Sequence, residues 1–226
     1  MHASENLLSR LSKLDSCTVS DAMDAFKLHG TASGLTQLSV SQKIVGKVVT
    51  VKLLEVGSRN ATVVVKSHLG ARAIDISNED NVIVVANQGR IQMGAWGGLL
   101  SRAAYGKGVR GVIVDGAVRD IDECKVIGFP VYGLTGVSKT ARGRVMEKST
   151  NTEIRIRGVL VRPSDYVISD GSGVVFIPSN KVESVINMAE KFEKKERLIL
   201  NQILQGSSVA DAIGRNYENM LKDGIE

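Results

Sequence analysis

Cysteine is nearly absent from this chain. Two residues, Cys17 and Cys124, occur in 226. Neither belongs to a CxxC or Cys/His grouping, so a disulfide scaffold, a zinc site and an oxidising compartment all lack support. Aromatic residues make up only 4%, and they are not interleaved with basic ones as in a platform for single-stranded nucleic acid. No apolar run approaches the roughly 20 residues that span a bilayer. The opening MHASENLLSRLSKLDS reads as a polar amphipathic helix and not as a signal peptide. A cytoplasmic protein with no membrane or nucleic-acid partner is therefore expected. The net charge of +5 would suit phosphates, but the densest basic segment, Lys191-Phe-Glu-Lys-Lys-Glu-Arg197, alternates with glutamates as solvated helix faces do. The glycine segment Gly94-Ala-Trp-Gly-Gly-Leu-Leu100 does not follow the GxGxxG or GxxxxGKS/T pattern, which argues against a nucleotide phosphate loop there.

What is present is a hydrophobic content of 43% over 226 residues, enough for a large core without staples. No repeat, low-complexity tract or linker licenses a cut, so residues 1–226 are expected to form a single α/β domain. Leucines and alanines recur at helical spacing through residues 4–28, and Thr18, three residues before Asp21, is expected to cap a helix with an acidic first turn. Ile44 to Leu54 is rich in β-branched residues and reads as a strand. Residues 58–73 suggest a short helix or a loop leading into one. The continuous apolar run Asn81 to Ala86 suits a strand covered on both faces. Gly97-Gly98, a helical Leu99 to Tyr105 and the strand Gly111 to Asp115 then complete a βαβ unit with parallel strands. Strands are expected at Phe129 to Tyr132, Thr152 to Val161 and Tyr166 to Ile177, and a long helix from about Asn180 to Gln205 ending at Gly206.

Ligands of such sheets gather beyond the carboxyl ends of the strands. The stretch GVIVDGAVRDIDE, residues 111–123, places Asp115, Arg119, Asp120, Asp122 and Glu123 there, with Gly97-Gly98 at a neighbouring strand end. Carboxylates are hard oxygen donors that suit Mg²⁺ or Mn²⁺, and one or two suffice because such ions keep several waters. Arg119 offers a planar fork for a carboxylate. In Gly94-Ala-Trp-Gly-Gly-Leu-Leu100, successive backbone N–H groups at a helix start suit a carboxylate or enolate oxygen. The competing reading makes Asp120 or Asp122 a cap for the helix of Glu123-Cys-Lys-Val, Gly97-Gly98 a plain turn, and Trp96 and His68 ordinary packing residues.

These residues resemble the RraA-like family, which includes 4-hydroxy-4-methyl-2-oxoglutarate/4-carboxy-4-hydroxy-2-oxoadipate aldolases and the regulator of ribonuclease activity. The resemblance rests on Gly97-Gly98-Leu-Leu followed by Gly111-Val-Ile-Val-Asp-Gly-Ala-Val-Arg-Asp-x-x-Glu123. It extends to Val19-Ser-Asp-Ala-Met23, Gly143-Arg-Val145 and Val161-Arg-Pro-Ser-Asp-Tyr to Pro178. It implies a swivelling β/β/α fold with a central sheet, flanking helices and a long C-terminal helix, assembled as homotrimers or homohexamers with sites between subunits. It further implies that Arg119 binds the carboxylate of a small 2-oxo acid, that Asp120 holds a divalent cation, Mg²⁺ or Mn²⁺, and that amides of Gly98, Leu99 and Leu100 receive the substrate. Glu196, or Glu193, would match an acidic contribution from a neighbouring subunit.

One position departs from the aldolase pattern: Gly98 stands where those enzymes carry Asp or Glu. Retro-aldol cleavage needs a base for the hydroxyl proton, whereas decarboxylation of oxaloacetate needs only polarisation of the 2-oxo group and support for the resulting enolate. A pyruvate-forming lyase retaining oxaloacetate decarboxylation is the expectation. A non-catalytic regulator, or a lyase for another sugar-acid derivative, is the alternative. Whether His68, Asp75 and Arg144 contact substrate stays open at this stage.

Overall fold

The computed structural model describes residues 6–58 and 68–219. In chain order the elements are α1 (Leu7–Lys13), α2 (Ser16–Ala25), β1 (Thr31–Ala32), β2 (Thr36–Gln37), β3 (Ile44–Glu55), α3 (Ala71–Ile76), β4 (Asn81–Trp96), α4 (Gly98–Gly106), β5 (Val112–Val118) and α5 (Ile121–Val126). They continue with β6 (Val131–Gly133), β7 (Thr135–Gly136), β8 (Val145–Thr150), β9 (Ile154–Ile156), β10 (Val159–Val161), β11 (Tyr166–Ser169), β12 (Val174–Ile177), α6 (Val182–Leu204) and α7 (Val209–Asn219). Most of the expected short helix or loop at 58–73 lies outside the described residues, and α3 begins near its end.

Ten strands form one mixed sheet in the order β1-β12-β11-β3-β4-β5-β6-β2, with β8 added to β3 and β7 to β5. Strands β3, β4, β5 and β6 run parallel, as the βαβ spacing predicts. Because strand side chains alternate between faces, each strand divides its apolar residues between two cores. Val49, Val51, Ile83, Val85, Val112 and Val114 pack under α3, α4 and α5. Val45, which shares their side of β3, joins Ile168, Val175 and Ile177 beneath α1, α2 and α6. The alternate residues Val48, Val82, Val84, Ile113, Val167 and Phe176 face the β9–β10 hairpin on the other side. Covering both faces explains the continuous apolar runs of the parallel strands.

Three sequence expectations change at this level. The cap of α2 is Asp15, whose carboxylate accepts from Thr18 N at 2.8 Å and Thr18 Oγ1 at 2.9 Å. Thr18 therefore lies inside the helix, and the first turn holds no acidic residue. Strand β4 does not stop at Ala86. Gln88 (φ 55°) and Gly89 (φ 69°) take left-handed conformations that bulge the strand, and its register against β5 shifts three times before Trp96. Finally, Asp115 sits inside β5, which runs on to Val118. It shares the parity of Ile113 and so faces the hairpin side.

Helix α6 ends as expected, with Gly206 at φ 98° just beyond its cap. Its buried residues stop at Phe192. Beyond that point Leu198, Leu200 and Leu204 are exposed, and α7, broken at Gly214, adds Val209.

Candidate functional site

The bulge in β4 carries Gly94-Ala-Trp-Gly97 alongside the end of β5, where Gly94 pairs with Ala117 and Trp96 with Val118. Arg119 leaves β5 there, its N–H donating to Trp96 O at 2.9 Å. Two glycines make room for its side chain and for that of Asp120. A Cβ at Gly94 would lie 2.9 Å from Arg119 Cγ, and one at Gly97 would lie 2.9 Å from the same atom and 2.7 Å from Asp120 Oδ2. Those contacts are shorter than carbon and oxygen tolerate, so the aliphatic stem of Arg119 rests on bare backbone. Trp96, buried beneath, donates from Nε1 to Ser101 Oγ at 2.9 Å and fixes the start of α4.

Asp120 stands at the cap position of α5, yet its carboxylate makes no hydrogen bond to that helix. Its backbone adopts φ 58°, ψ 36°, a left-handed conformation that Asp tolerates better than most residues and that still costs on the order of 1 kcal/mol. The strain turns the side chain across to α4, where Gly98 N donates to Oδ2 at 3.0 Å. Its other oxygen accepts from Arg119 Nε at 3.2 Å. The capping role that spacing allowed to Asp120 is thus refuted for its own helix. Asp122, the other cap candidate, has a side chain 97% exposed and pairs with Lys125.

Glu123 is the residue that sequence reasoning underused. A Cβ added at Gly98 would lie 1.9 Å from Glu123 Oε2. The Glu123 carboxylate therefore occupies the space that any side chain at position 98 would fill. Arg102 Nε holds it there from α4. Asp120 and Glu123 line one shallow depression with Arg119, so two carboxylates converge on the start of α4. The signal lay in the sequence as Gly98 and Glu123 read together, a missing side chain opposite a carboxylate.

Beside them lies a cavity of about 380 Å³, within the roughly 300–1,000 Å³ typical of small-ligand sites. Arg119, Asp120, Gly97, Leu99 and Leu100 form one part of its lining, and His68, Leu69, Thr140 to Arg142 and Val145 to Glu147 the rest. Leu99 and Leu100 belong to the first turn of α4, whose N–H groups have no intrahelical partner and suit an anionic oxygen. Glu147 is fully buried and accepts from Gly70 N at 2.7 Å and from Arg72 Nε at 2.9 Å and Nη2 at 2.6 Å. Its charge is spent on holding the His68–Arg72 wall in place.

Among the residues singled out from sequence, the structure gathers Arg119, Asp120, Gly98, Leu99, Leu100 and His68 into one region. Asp115 is not with them. It is buried on the hairpin side, 3.8 Å from Arg157 Nη1, and burial raises its pKa against the lowering effect of Arg157. Asp75 is exposed on α3, outside the cavity lining. Arg144 braces the chain by donating to Thr140 O and Arg142 O, while Arg142, which sequence reasoning passed over, lines the cavity. Glu196 lies on α6, outside the cavity of its own chain, and its pKa is raised by burial and by Asp15, Asp21 and Glu193 nearby.

The donor set suits a hydrated hard cation. Among the described residues no group of three or more His, Cys, Asp or Glu side chains forms a closed metal cage, but Mg²⁺ commonly takes only one or two carboxylates and keeps its waters. Asp120 and Glu123 supply that number.

The chain is similar to several known proteins. The chain is 31% identical over 208 residues to protein DlpA of Legionella pneumophila, a match covering 92% of the chain and 33% of that relative, so it spans about a third of the relative's length. It is 28% identical over 107 residues to the 4-hydroxy-4-methyl-2-oxoglutarate aldolase of Thermus thermophilus, covering 47% of the chain and 65% of the enzyme. A crystal structure of an uncharacterised protein from Pseudomonas syringae superposes with a TM-score of 0.82 at 27% identity, covering 95% of the chain and all of that protein. The Aldolase/RraA family model matches residues 16–176, from the start of α2 into β12 and across the whole site. A match of that extent, over most of the chain, shows that the chain belongs to the RraA-like family.

Proposed function

We propose that this chain is a divalent-metal-dependent lyase that forms pyruvate from 2-oxo acids, of the 4-hydroxy-4-methyl-2-oxoglutarate/4-carboxy-4-hydroxy-2-oxoadipate aldolase type, with oxaloacetate decarboxylation as its simplest reaction. One observation carries the reading. The Asp120 carboxylate is turned away from its own helix, at a backbone cost, and held between Gly98 N–H and Arg119 beside the Glu123 carboxylate. The capping bond of Asp120 goes to the first N–H of α4 and none goes to α5, so that it and Glu123 meet at the start of α4.

Asp120 and Glu123 are the residues that would hold Mg²⁺ or Mn²⁺, which supplies electrophilic polarisation of the 2-oxo group. Arg119 binds the adjacent carboxylate. Its Nε is engaged by Asp120, which leaves the two terminal nitrogens as a fork. The N–H groups of Leu99 and Leu100 support the oxygen that gains charge as the C3–C4 bond breaks. Leu69, Trp96, Leu100 and Val145 form an apolar wall that keeps water from the carbanionic carbon until it is protonated. For aldol substrates a base must also take the hydroxyl proton, and Glu123 supplies a carboxylate where the aldolase pattern has one at position 98.

Assembly as a homotrimer or homohexamer in the cytoplasm, with Glu196 reaching a neighbouring site, belongs to the same proposal. The exposed Leu198, Leu200 and Leu204 of α6 support association.

The test is pyruvate release from oxaloacetate with Mg²⁺ or Mn²⁺, with EDTA, and with Asp120→Ala. Turnover that needs both metal and Asp120 is expected. Full activity of Asp120→Ala would refute the site, and absence of turnover above the metal blank would favour a non-catalytic regulator.

A further inference from the structure

The cavity holds a second guanidinium that the proposed chemistry at Arg119 leaves unused. Arg142 lines it from the segment joining β7 to β8. Three other arginines around the site are answered by carboxylates, Arg72 by Glu147, Arg102 by Glu123 and Arg119 by Asp120, and Arg144 by the carbonyls of its own turn. Among the described residues, no carboxylate or carbonyl pairs with the guanidinium of Arg142. The two acidic groups that share its cavity, Asp120 and Glu147, are already engaged by Arg119 and Arg72.

This arginine rides on a built support and not on a loose loop. Gly94 N donates to Lys139 O at 2.9 Å, and Gly94 forms a parallel bridge with Thr140, which ties the segment to β4 beside Arg119. Ala141 is buried with Met93 and Val145. The turn is closed by Arg142 N on Thr140 Oγ1 at 3.2 Å and by Arg144 Nη1 on Thr140 O at 3.2 Å and Arg142 O at 3.3 Å. Gly143 comes next at φ 72°, a conformation that turns the chain back immediately after Arg142. Arg144 is thus a positioning residue for the backbone that presents Arg142.

A cavity with one arginine fork at the end of β5 and a second, unanswered cation on a separate wall is matched by a ligand with two anionic ends. Charge-assisted bonds from guanidinium to carboxylate are the strong members of their class. We infer that Arg142 is a specificity-determining residue that recognises the distal carboxylate of the substrate, so that the site selects dicarboxylic 2-oxo acids over monocarboxylic ones of the same length. The inference rests on the reading of Arg119 and Asp120 as the 2-oxo acid end of the site.

The test compares 2-oxoglutarate with 2-oxovalerate, equal in chain length but differing in the distal carboxylate, by calorimetric titration of the full chain with Mg²⁺. The wild type is expected to bind 2-oxoglutarate on the order of tenfold more tightly. Arg142→Gln is expected to lose that preference and bind both acids about equally, and Arg142→Lys to regain part of it. Because Arg142 is exposed, its replacement leaves the core intact, and a melting curve checks this. Equal affinities in the wild type, or a preference that survives Arg142→Gln, would overturn the inference. Pyruvate release from oxaloacetate reports separately on the lyase. Preference without turnover upholds the clamp and sinks the lyase, and turnover without preference does the reverse.

Discussion

Replacing Gly98 by alanine separates the fold from the site. Position 98 is the first residue of α4 and does not occupy a left-handed conformation, so alanine meets no backbone strain and gains about 0.5–1 kcal/mol of helix preference over glycine. Against that, its Cβ would lie 1.9 Å from Glu123 Oε2 and 2.4 Å from Cδ, and the flexible Glu123 side chain must swing away. The swing breaks the pair with Arg102, whose side chains are 56% and 36% exposed. A pair that solvated is worth about 0–1 kcal/mol. The two effects nearly cancel, so thermal unfolding should stay within about 2–4 °C of the wild type. Activity should not. Groups that support a metal ligand are typically worth roughly 10- to 100-fold in metal affinity or rate, and Gly98→Ala removes a carboxylate from beside Asp120. Oxaloacetate decarboxylation measured across a Mg²⁺ titration should show a loss of that size. A companion pair, Gly98→Asp with Glu123→Ala, returns a carboxylate to the same space from the other side and should recover part of it. Wild-type metal dependence and kcat/KM in Gly98→Ala would refute the assignment of Glu123 to the site.

Two other outcomes concern buried and hydrogen-bonded carboxylates. Glu147→Gln keeps the shape but sets an amide donor against donors on Gly70 and Arg72; with Arg72 still 42% exposed, the cost should be about 1–3 kcal/mol, or several degrees of melting temperature, and KM for oxaloacetate should rise as the His68 wall loosens. Asp170 feels burial that would raise its pKa, but bonds from Ser16 Oγ and N, each 2.7 Å, and from Ser172 N outweigh it and lower the pKa below the ordinary value. Its stabilisation is therefore present above the unfolded pKa of about 3.9 and lost as pH falls through the folded value. In urea titrations the stability gap between wild type and Asp170→Asn should be constant near neutrality and close as pH drops below about 4; a gap independent of pH would refute the coupling.

How far the sequence could be read depended on whether a signal was local. Strand β3, the β11–β12 hairpin and helix α6 were legible from period and punctuation, because β-branched runs and a terminal glycine act within a few residues. The end of β4 was not. Asn87-Gln-Gly89 carries the composition of a terminator, and only pairing of Arg90 and Gly94 with β5 turns it into a bulge. The same limit explains Thr18 and Asp15, two good caps three residues apart. The carboxylate of Asp170, far along the chain, accepts from Ser16 N–H and Oγ–H, and so fixes Ser16 as the first residue of α2. In the site, Arg119 and Asp120 were legible from the motif. Which of Arg142 and Arg144 lines the cavity was not, because that depends on the turn at Gly143.

The charge cluster after β5 is explained by the direction in which each residue leaves the strand. Asp115, still inside β5, points to the hairpin face and spends its charge near Arg157. Arg119, past the last paired residue, is free of the sheet's alternation and lies along Gly94 and Gly97 instead. Asp120 then breaks right-handed geometry, which delays α5 by one residue and aims a carboxylate at Gly98 N–H. Glu123, one turn into α5, comes round to the same point. Each of the three glycines in Gly94-Ala-Trp-Gly-Gly98 removes a side chain that would collide with one of these groups. A larger residue at any of the three would therefore first disturb the placement of Arg119, Asp120 or Glu123, while the parallel strands that carry them could remain packed. The site is thus specified by small residues on β4 and α4 as much as by the charged residues after β5.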